Sequence, residues 1–389
     1  MNVFGIAIDG ETATFHAIDV EHGWLNAKTF NRLLGGQQQY DYILLVSEGT
    51  VLPTFLPKTI TQAIARFNRE WPNWGIASGD GVAPFGVGPS ADGEVRFSAE
   101  KFADAYIGPN FAHHILPGYV LEGNLLLLNA RALRDSALNL PKFEDPNYLE
   151  IYLSLETLKH GKALLIAPQL ASLVPSRDGK KAQLGADMEL RKYLANSLDV
   201  AEFRTPYGTL AVSPALRDSE QATVSQLPNP LFAALNYAAV GRRKRSVLIV
   251  TRTLFGREPM LKRNITSVKN FITHAGQATA FSHRLFSSIQ PGRANPWHGV
   301  PTTYVDCGDA TDTRFLLVQA AAQQQADDFF WFVDDDDWLF NEHAASLGVL
   351  LSVVPENTLV FIGSQVFSFG DTAPGEESED RPPMSLHVS

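Results

Sequence analysis

A chain of 389 residues, 45% apolar and 19% charged, has material for two or three cores, which excludes a disordered or low-complexity protein. With Asp+Glu at 42 and Lys+Arg at 32 the net charge is -10, which disfavours a general nucleic-acid binder, for which a basic face is needed. The single cysteine, Cys307, excludes an internal disulfide and a cysteine-based zinc site.

A reducing, cytoplasmic setting is therefore expected. The opening MNVFGIAIDGE has no basic stretch followed by an apolar one, and no apolar run approaches the roughly 18 residues of a membrane span. Peripheral contact with a membrane stays open.

In chain order, residues 42–46 (YILLV) read as a buried strand of a mostly parallel sheet. Residues 59–67 read as a helix and 125–128 as another apolar strand. Tyr148, Ile151, Tyr152, Leu155 and Leu158 fall at helical spacing, with Gly161 as the stop and a strand at 164–166. This alternation predicts an α/β domain over residues 1–180.

Residues 181–245 read as a helical and proline-rich linker. One amphipathic helix covers 187–198, Pro206, Pro214, Pro228 and Pro230 punctuate the chain, and Arg242, Arg243, Lys244 and Arg245 close it. That basic run reads as a solvated linker or strand entrance, with a phosphate or anionic-lipid contact as the alternative.

A second α/β domain is predicted over residues 246–370. It opens with the strand at 246–250 and the loop TRTLFGREP. Leu261, Ile265, Val268 and Ile272 make one helical stripe. A strand at 303–305 leads into the acidic turn DCGDATD, and a helix runs on through Ala322. The apolar strand 329–333 then runs directly into Asp334, Asp335, Asp336 and Asp337. Asn341 is placed to cap a helix whose Leu347, Leu350, Leu351 and Val354 share a face. Open sheets of this kind bind ligands at the carboxyl ends of their strands. The tail, residues 371–389, reads as disordered.

The four aspartates carry the chemistry. Like charges packed together are costly unless a cation offsets them. On an extended segment residues i and i+2 share a side, so Asp334 and Asp336 are expected to aim at one Mg²⁺ or Mn²⁺ ion. Such an ion neutralises charge on a diphosphate leaving group. In the turn at 305–313, Asp306 is the best placed to accept bonds from a base or ribose. Asp309 and Asp312 read equally as ligand contacts or as parts of a helix start, and Cys307 as a packed residue.

Residues 246–365 resemble the nucleotide-binding half of a GT-A-fold glycosyltransferase of the inverting family 2 type. That family opens with a strand like SVLIVTRT, then a helix, then a turn of the form VDDGSTDGT, which reads VDCGDATDT here. Its DxD metal motif follows a strand of the form YIxFLDxDD, which reads FFWFVDDDDWL here. Cys307 departs from the turn's acidic pattern, and the spacing between the two motifs is shorter than in the family. The resemblance places Thr251, Arg252, Asp306 and Asp335 near the nucleotide, and Asp334 and Asp336 at the metal.

The first region resembles the same family more faintly. YDYILLVSEGTVLP sits where the DxD strand would be, so Ser47 and Gly49 stand in place of the metal carboxylates. FEDPNYLEIYLSLETLKHGKALLIAP resembles the acceptor-side segment, with Glu150 where the catalytic base would lie and Leu149 in place of its acidic partner. The resemblance implies a degenerate GT-A-like domain, and Glu150 reads otherwise as an exposed helix residue. The stretch after Asp337 is shorter than the family needs to reach its base. Glu150 and Asp380 of the tail are the weak candidates for that role; the alternatives are that the acceptor side is absent or remodelled, with no base at all, or that a partner chain or second copy completes it.

The function these features imply is a metal-dependent transfer of a sugar from a nucleotide-diphosphate donor to a hydroxyl acceptor: a glycan, a protein or a modified base. Two alternatives stand beside it. One is a non-catalytic GT-A-derived module that binds glycan or serves a structural role. The other is a nucleotidyltransferase, for which TRTLFGRE supplies only Gly256 and two arginines as a phosphate loop.

Overall fold

The computed structural model describes residues 2–9, 12–20, 26–36, 40–48, 50, 56–83, 86–89, 95–98, 105–107, 115–143, 148–170, 187–217, 227, 230–253, 258–288, 299–305, 319, 323, 327–341, 344–354, 360–361, 366–368 and 385–387. The fold is mixed α/β. Among the described residues no helix is long and apolar enough to cross a membrane.

The first region opens with β1 (Asn2–Asp9), β2 (Thr12–Ile18), α1 (Ala27–Gly35), β3 (Tyr42–Val46), α2 (Leu56–Glu70) and β4 (Trp74–Ser78). Short strands follow: β5 (Gly81–Ala83), β6 (Gly86–Pro89), β7 (Val95–Ser98), β8 (Ala105–Ile107), β9 (Leu116–Gly118) and β10 (Val120–Leu121). It continues with β11 (Leu125–Asn129), α3 (Ala130–Asp135), α4 (Leu149–Lys159) and β12 (Ala163–Ile166). Seven of these strands form one sheet in the order β2-β1-β3-β11-β4-β12-β9.

That sheet corrects an expectation. It is mostly antiparallel: β1 pairs antiparallel with β2 and β3, β11 with β3 and β4, and β9 with β12. Only β4 and β12 run parallel. Side chains alternate between faces along a strand, so an unbroken apolar run reports burial on both faces and says nothing of direction. Direction follows from the connections. β1 and β2 pair Asp9 with Thr12 across a two-residue hairpin, which permits only antiparallel pairing.

The stretch expected as a linker packs onto this region. Asp187 caps α5 (Met188–Ser197) by accepting from the Leu190 N–H at 2.9 Å, and Leu190 and Leu194 are buried. The hairpin β13 (Glu202–Thr205) and β14 (Gly208–Ala211) buries Phe203, Tyr207 and Leu210. Helix α6 (Pro230–Ala239) packs on β9 and β12 of the first sheet and also on α8 (Ala344–Val353) of the second region.

The second region has β15 (Arg245–Thr253), α7 (Glu258–His274), β16 (Thr279–Ser288), β17 (Thr302–Val305), β18 (Phe329–Asp334) and then α8. Its sheet, in the order β17-β16-β15-β18, is wholly parallel. Short strands β19 (Val360–Phe361), β20 (Val366–Ser368) and β21 (Ser385–His387) end the chain, with β20 and β21 paired antiparallel.

The sheet's two faces differ. Val247, Ile249 and Val333 join a core cluster that is continuous with the first region's core, whereas Leu248, Val250 and Phe286 form a small separate cluster on the other side. Phe332 on that side is 45% exposed.

Of the two readings of the basic run, a solvated linker or a strand entrance, the second holds: Arg243 and Lys244 are exposed and Arg245 opens β15. The Arg242 guanidinium lies 3.7 Å from the ring centre of Trp71, next to the α2–β4 turn. Arg243 pairs with Asp328, and the buried Arg245 donates to the carbonyls of Leu351 and Val354 at the end of α8. Gly241 has φ +76, and a Cβ there would meet Pro72 at 2.7 Å, so the junction needs glycine. Arg242 thus ties the entrance of β15 to the first region, while Arg243 and Arg245 hold elements of the second region together.

Candidate functional site

The parallel register of the second sheet sets Arg252 opposite Asp334, Thr251 opposite Val333 and Val247 opposite Phe329. Period two then divides the carboxyl end. Arg252 and Asp334 fall on the side of the small cluster, and Thr251 and Thr253 on the side that meets α7. The Arg252 guanidinium grips the Asp334 carboxylate through both Nε and an Nη, the latter at 2.7 Å. Thr253 donates its hydroxyl to Asp335 Oδ2 at 2.8 Å. Asp335 is 2% exposed.

The aspartates do not continue the strand. The Asp337 N–H donates to the Asp334 carbonyl at 3.1 Å, closing a turn over residues 334–337. The Asp334 N–H donates back to Asp337 Oδ2 at 2.9 Å. The expected extended alignment of Asp334 and Asp336 is therefore replaced by a β-turn, whose backbone hydrogen bond forms as soon as β18 ends. Asp334 is partly exposed and Asp336 exposed. Burial pushes the Asp337 carboxyl above its usual range; the Asp334 N–H opposes this and the charges of Asp334 and Asp336 add to it.

Residues outside the expected set hold this turn. Asn264 of α7 donates its Nδ2 to the carbonyls of Asp334 at 2.9 Å and Asp337 at 3.0 Å. The Leu339 N–H donates to Ser267 Oγ at 3.2 Å. The apolar stripe of α7 was expected along Leu261, Ile265, Val268 and Ile272. The buried face is rotated from it, through Leu261, Asn264, Ser267, Val268 and Phe271. Two polar residues, Asn264 and Ser267, at i+3 and i+6 of a row whose i, i+7 and i+10 positions are apolar were the available signal. Strand β16 was not expected either, because Ser282, His283 and Arg284 break its apolar pattern. It supplies His283, whose Nε2 lies 2.9 Å from Thr251 Oγ1 and whose pKa burial lowers to about 4.

Thr251 points into the protein interior, toward Asn264 and His283. Asp306, Asp309, Asp312 and Cys307 of the second acidic turn lie outside the described residues, as does Asp380. Among the described residues there is no group of three or more His, Cys, Asp or Glu side chains able to hold a metal ion.

The corresponding end of the first sheet is closed. The Ser47 N–H donates to the Asn124 carbonyl at 2.9 Å, and its Oγ donates to the Gly123 carbonyl at 3.0 Å. Gly49 lies outside the described residues. Glu150, expected as an exposed helix residue, is 1% exposed and accepts from the Tyr207 hydroxyl. Its carboxylate presses on the turn at Gly123, where a Cβ would come within 2.8 Å of Oε2. Residues 149–158 of α4 are buried all round, so a position on its first turn gives no access to solvent.

Among protein-family models, curated proteins and solved structures, none matches this chain.

Proposed function

We propose that the chain is a metal-dependent glycosyltransferase that takes a nucleotide-diphosphate sugar as donor and a hydroxyl group of a glycan, protein or modified base as acceptor. The observation that carries this reading is the acidic turn at the carboxyl end of β18, in a wholly parallel sheet, with Arg252 beside it on the less covered face. Ligands of open parallel sheets bind at that end.

The residues present fit a hard divalent cation. Asp334 and Asp336 offer two carboxylates that reach solvent, and Mg²⁺ or Mn²⁺ held by one or two carboxylates takes its other oxygens from waters and substrate phosphates. The ion would offset charge on the diphosphate leaving group. Arg252 is the anion-binding group next to it, and Asp335, tied to Thr253, acts through the shape of the turn. Glu150 is closed off from an acceptor by its burial, so the base comes from elsewhere. A second copy or a partner chain completing the acceptor side accords with this, in a cytoplasmic setting or at a membrane surface.

The test is a binding screen of UDP-, GDP- and dTDP-sugars with and without Mn²⁺. Metal-dependent binding of one nucleotide is the expected result, and its absence for all of them sinks the reading. One observation favours a second reading, a non-catalytic module derived from such an enzyme. Arg252 and Thr253 already engage Asp334 and Asp335 from within the protein. Under that reading no nucleotide sugar binds.

A further inference from the structure

We propose that Asn264 is the positioning residue of the acidic turn, its amide oriented by a proton-ordered chain from His283 through Thr251, so that the turn is fully formed before any ligand arrives.

The order of the chain follows from counting protons. The carbonyls of Asp334 and Asp337 only accept, so the Asn264 atom facing both must be the NH₂ group. The amide oxygen then faces Thr251 Oγ1 at 3.0 Å, and it too only accepts. The single hydroxyl proton of Thr251 is therefore used on Asn264. At 2.9 Å from the same oxygen, His283 Nε2 must be the donor. His283 is assigned as the Nε2–H form on this ground, and its lowered pKa keeps the ring neutral at pH 7.

Burial gives the chain its force. Thr251 is 0% and Asn264 1% exposed, so an unmade bond at either leaves a polar group without water. Reversing the amide would set its oxygen against two carbonyl oxygens. One helical turn further on, Ser267 Oγ donates to the Asn264 carbonyl at 2.9 Å and accepts the Leu339 N–H, which fixes the chain as it leaves the turn. Two strands and one helix thereby pull the turn's carbonyls inward, leaving the Asp334 and Asp336 carboxylates at the surface. A ligand meeting a preformed turn has no loop to order. This positioning stands on the geometry; only its consequence for metal affinity rests on the glycosyltransferase reading.

The experiment is amide hydrogen exchange on the full chain without metal. In the unsubstituted protein the amides of Asp334, Asp337 and Leu339 should be protected. Thr251→Val, which keeps the shape and removes the hydroxyl, should speed their exchange about tenfold or more. Thr251→Ser should restore protection, and core amides such as Val250 should change in neither variant. Asn264→Asp should lose protection further. Should it fail to fold, the Thr251 pair decides alone. Nitrogen NMR of His283 at pH 7 should show the proton on Nε2. Equal exchange in Thr251→Val and the parent, no rescue by serine, or a proton on Nδ1 would each overturn the proposal. A parallel Mn²⁺ titration separates the two readings. Weaker Mn²⁺ binding in Thr251→Val, restored by serine, extends the proposal to the metal. Absence of Mn²⁺ binding in the unsubstituted chain removes the metal reading, while the exchange result still decides the positioning.

Discussion

Strands β3 and β18 each end where the sequence reading looks for a metal site, and the ends are built in opposite ways. β3 lies between β1 and β11, and Ser47 at its end gives its N–H and hydroxyl to the Asn124 and Gly123 carbonyls. The nearby carboxylate, Glu150, is sealed under Gly123 and Tyr207. β18 ends in four aspartates whose backbone is held from inside by Asn264, while Asp334 and Asp336 look outward. Acidic residues thus stand near both ends: at the first Glu48 is exposed and Glu150 buried, while at the second interior bonds hold the backbone of an aspartate run and leave Asp334 and Asp336 at the surface. A carboxylate near a strand end is therefore weak evidence of a site until its burial is known.

The largest effect that would break this comparison is at the second end. Asp334→Asn combined with Asp336→Asn should abolish Mn²⁺-dependent nucleotide binding, measured by calorimetry, with little loss of stability, because the turn's backbone bonds remain. Unchanged affinity would remove the site assignment.

At the first end the same kind of change should act on stability. Tyr207→Phe leaves the buried Glu150 carboxylate without that hydroxyl and should cost about 1–3 kcal/mol in denaturant unfolding, with Mn²⁺ and nucleotide binding untouched. A loss of binding in that variant would mean the two ends act together.

A buried contact inside the second region gives a comparable effect. Arg245→Met removes the donor to the α8 carbonyls and its place 5.5 Å from the Phe329 ring, and should cost about 1–3 kcal/mol. An unchanged unfolding midpoint would show that this contact does not hold α8 to the start of β15.

A smaller effect concerns Arg252. The pair with Asp334 is partly exposed, and such pairs are worth about 1 kcal/mol at most. Arg252→Met should therefore raise Mn²⁺ affinity by no more than about fivefold while weakening nucleotide binding. Weaker Mn²⁺ binding would show that Arg252 supports the ion's site rather than competing for it.

The smallest effect is on pH dependence. Folding lowers the His283 pKa from 6.5 to about 4, so its contribution to stability is whole above pH 6.5 and declines as pH falls toward 4. The raised Asp337 acts in the opposite sense, adding stability as pH falls through its folded pKa. Thermal melts of His283→Gln between pH 7 and 4.5 should lose less stability on acidification than the parent. An identical slope would mean that His283 does not titrate as described.

What the sequence determined by itself was local. Helices α2, α4 and α5 follow from apolar spacing with a stop at Gly161, which takes φ +72. Strand β18 and its acidic end follow from an apolar run meeting four charges. The tertiary structure alone decided the rest. Strand direction in the first sheet, the burial of Glu150, the docking of the presumed linker and the use of Arg242, Arg243 and Arg245 all depend on contacts with residues far along the chain. The roles of Asn264 and His283 were hidden for the same reason. A polar side chain in a helix or strand reads as surface until the fold brings it a buried partner, and Thr251 Oγ1 gains both of its partners only when β15, β16 and α7 meet.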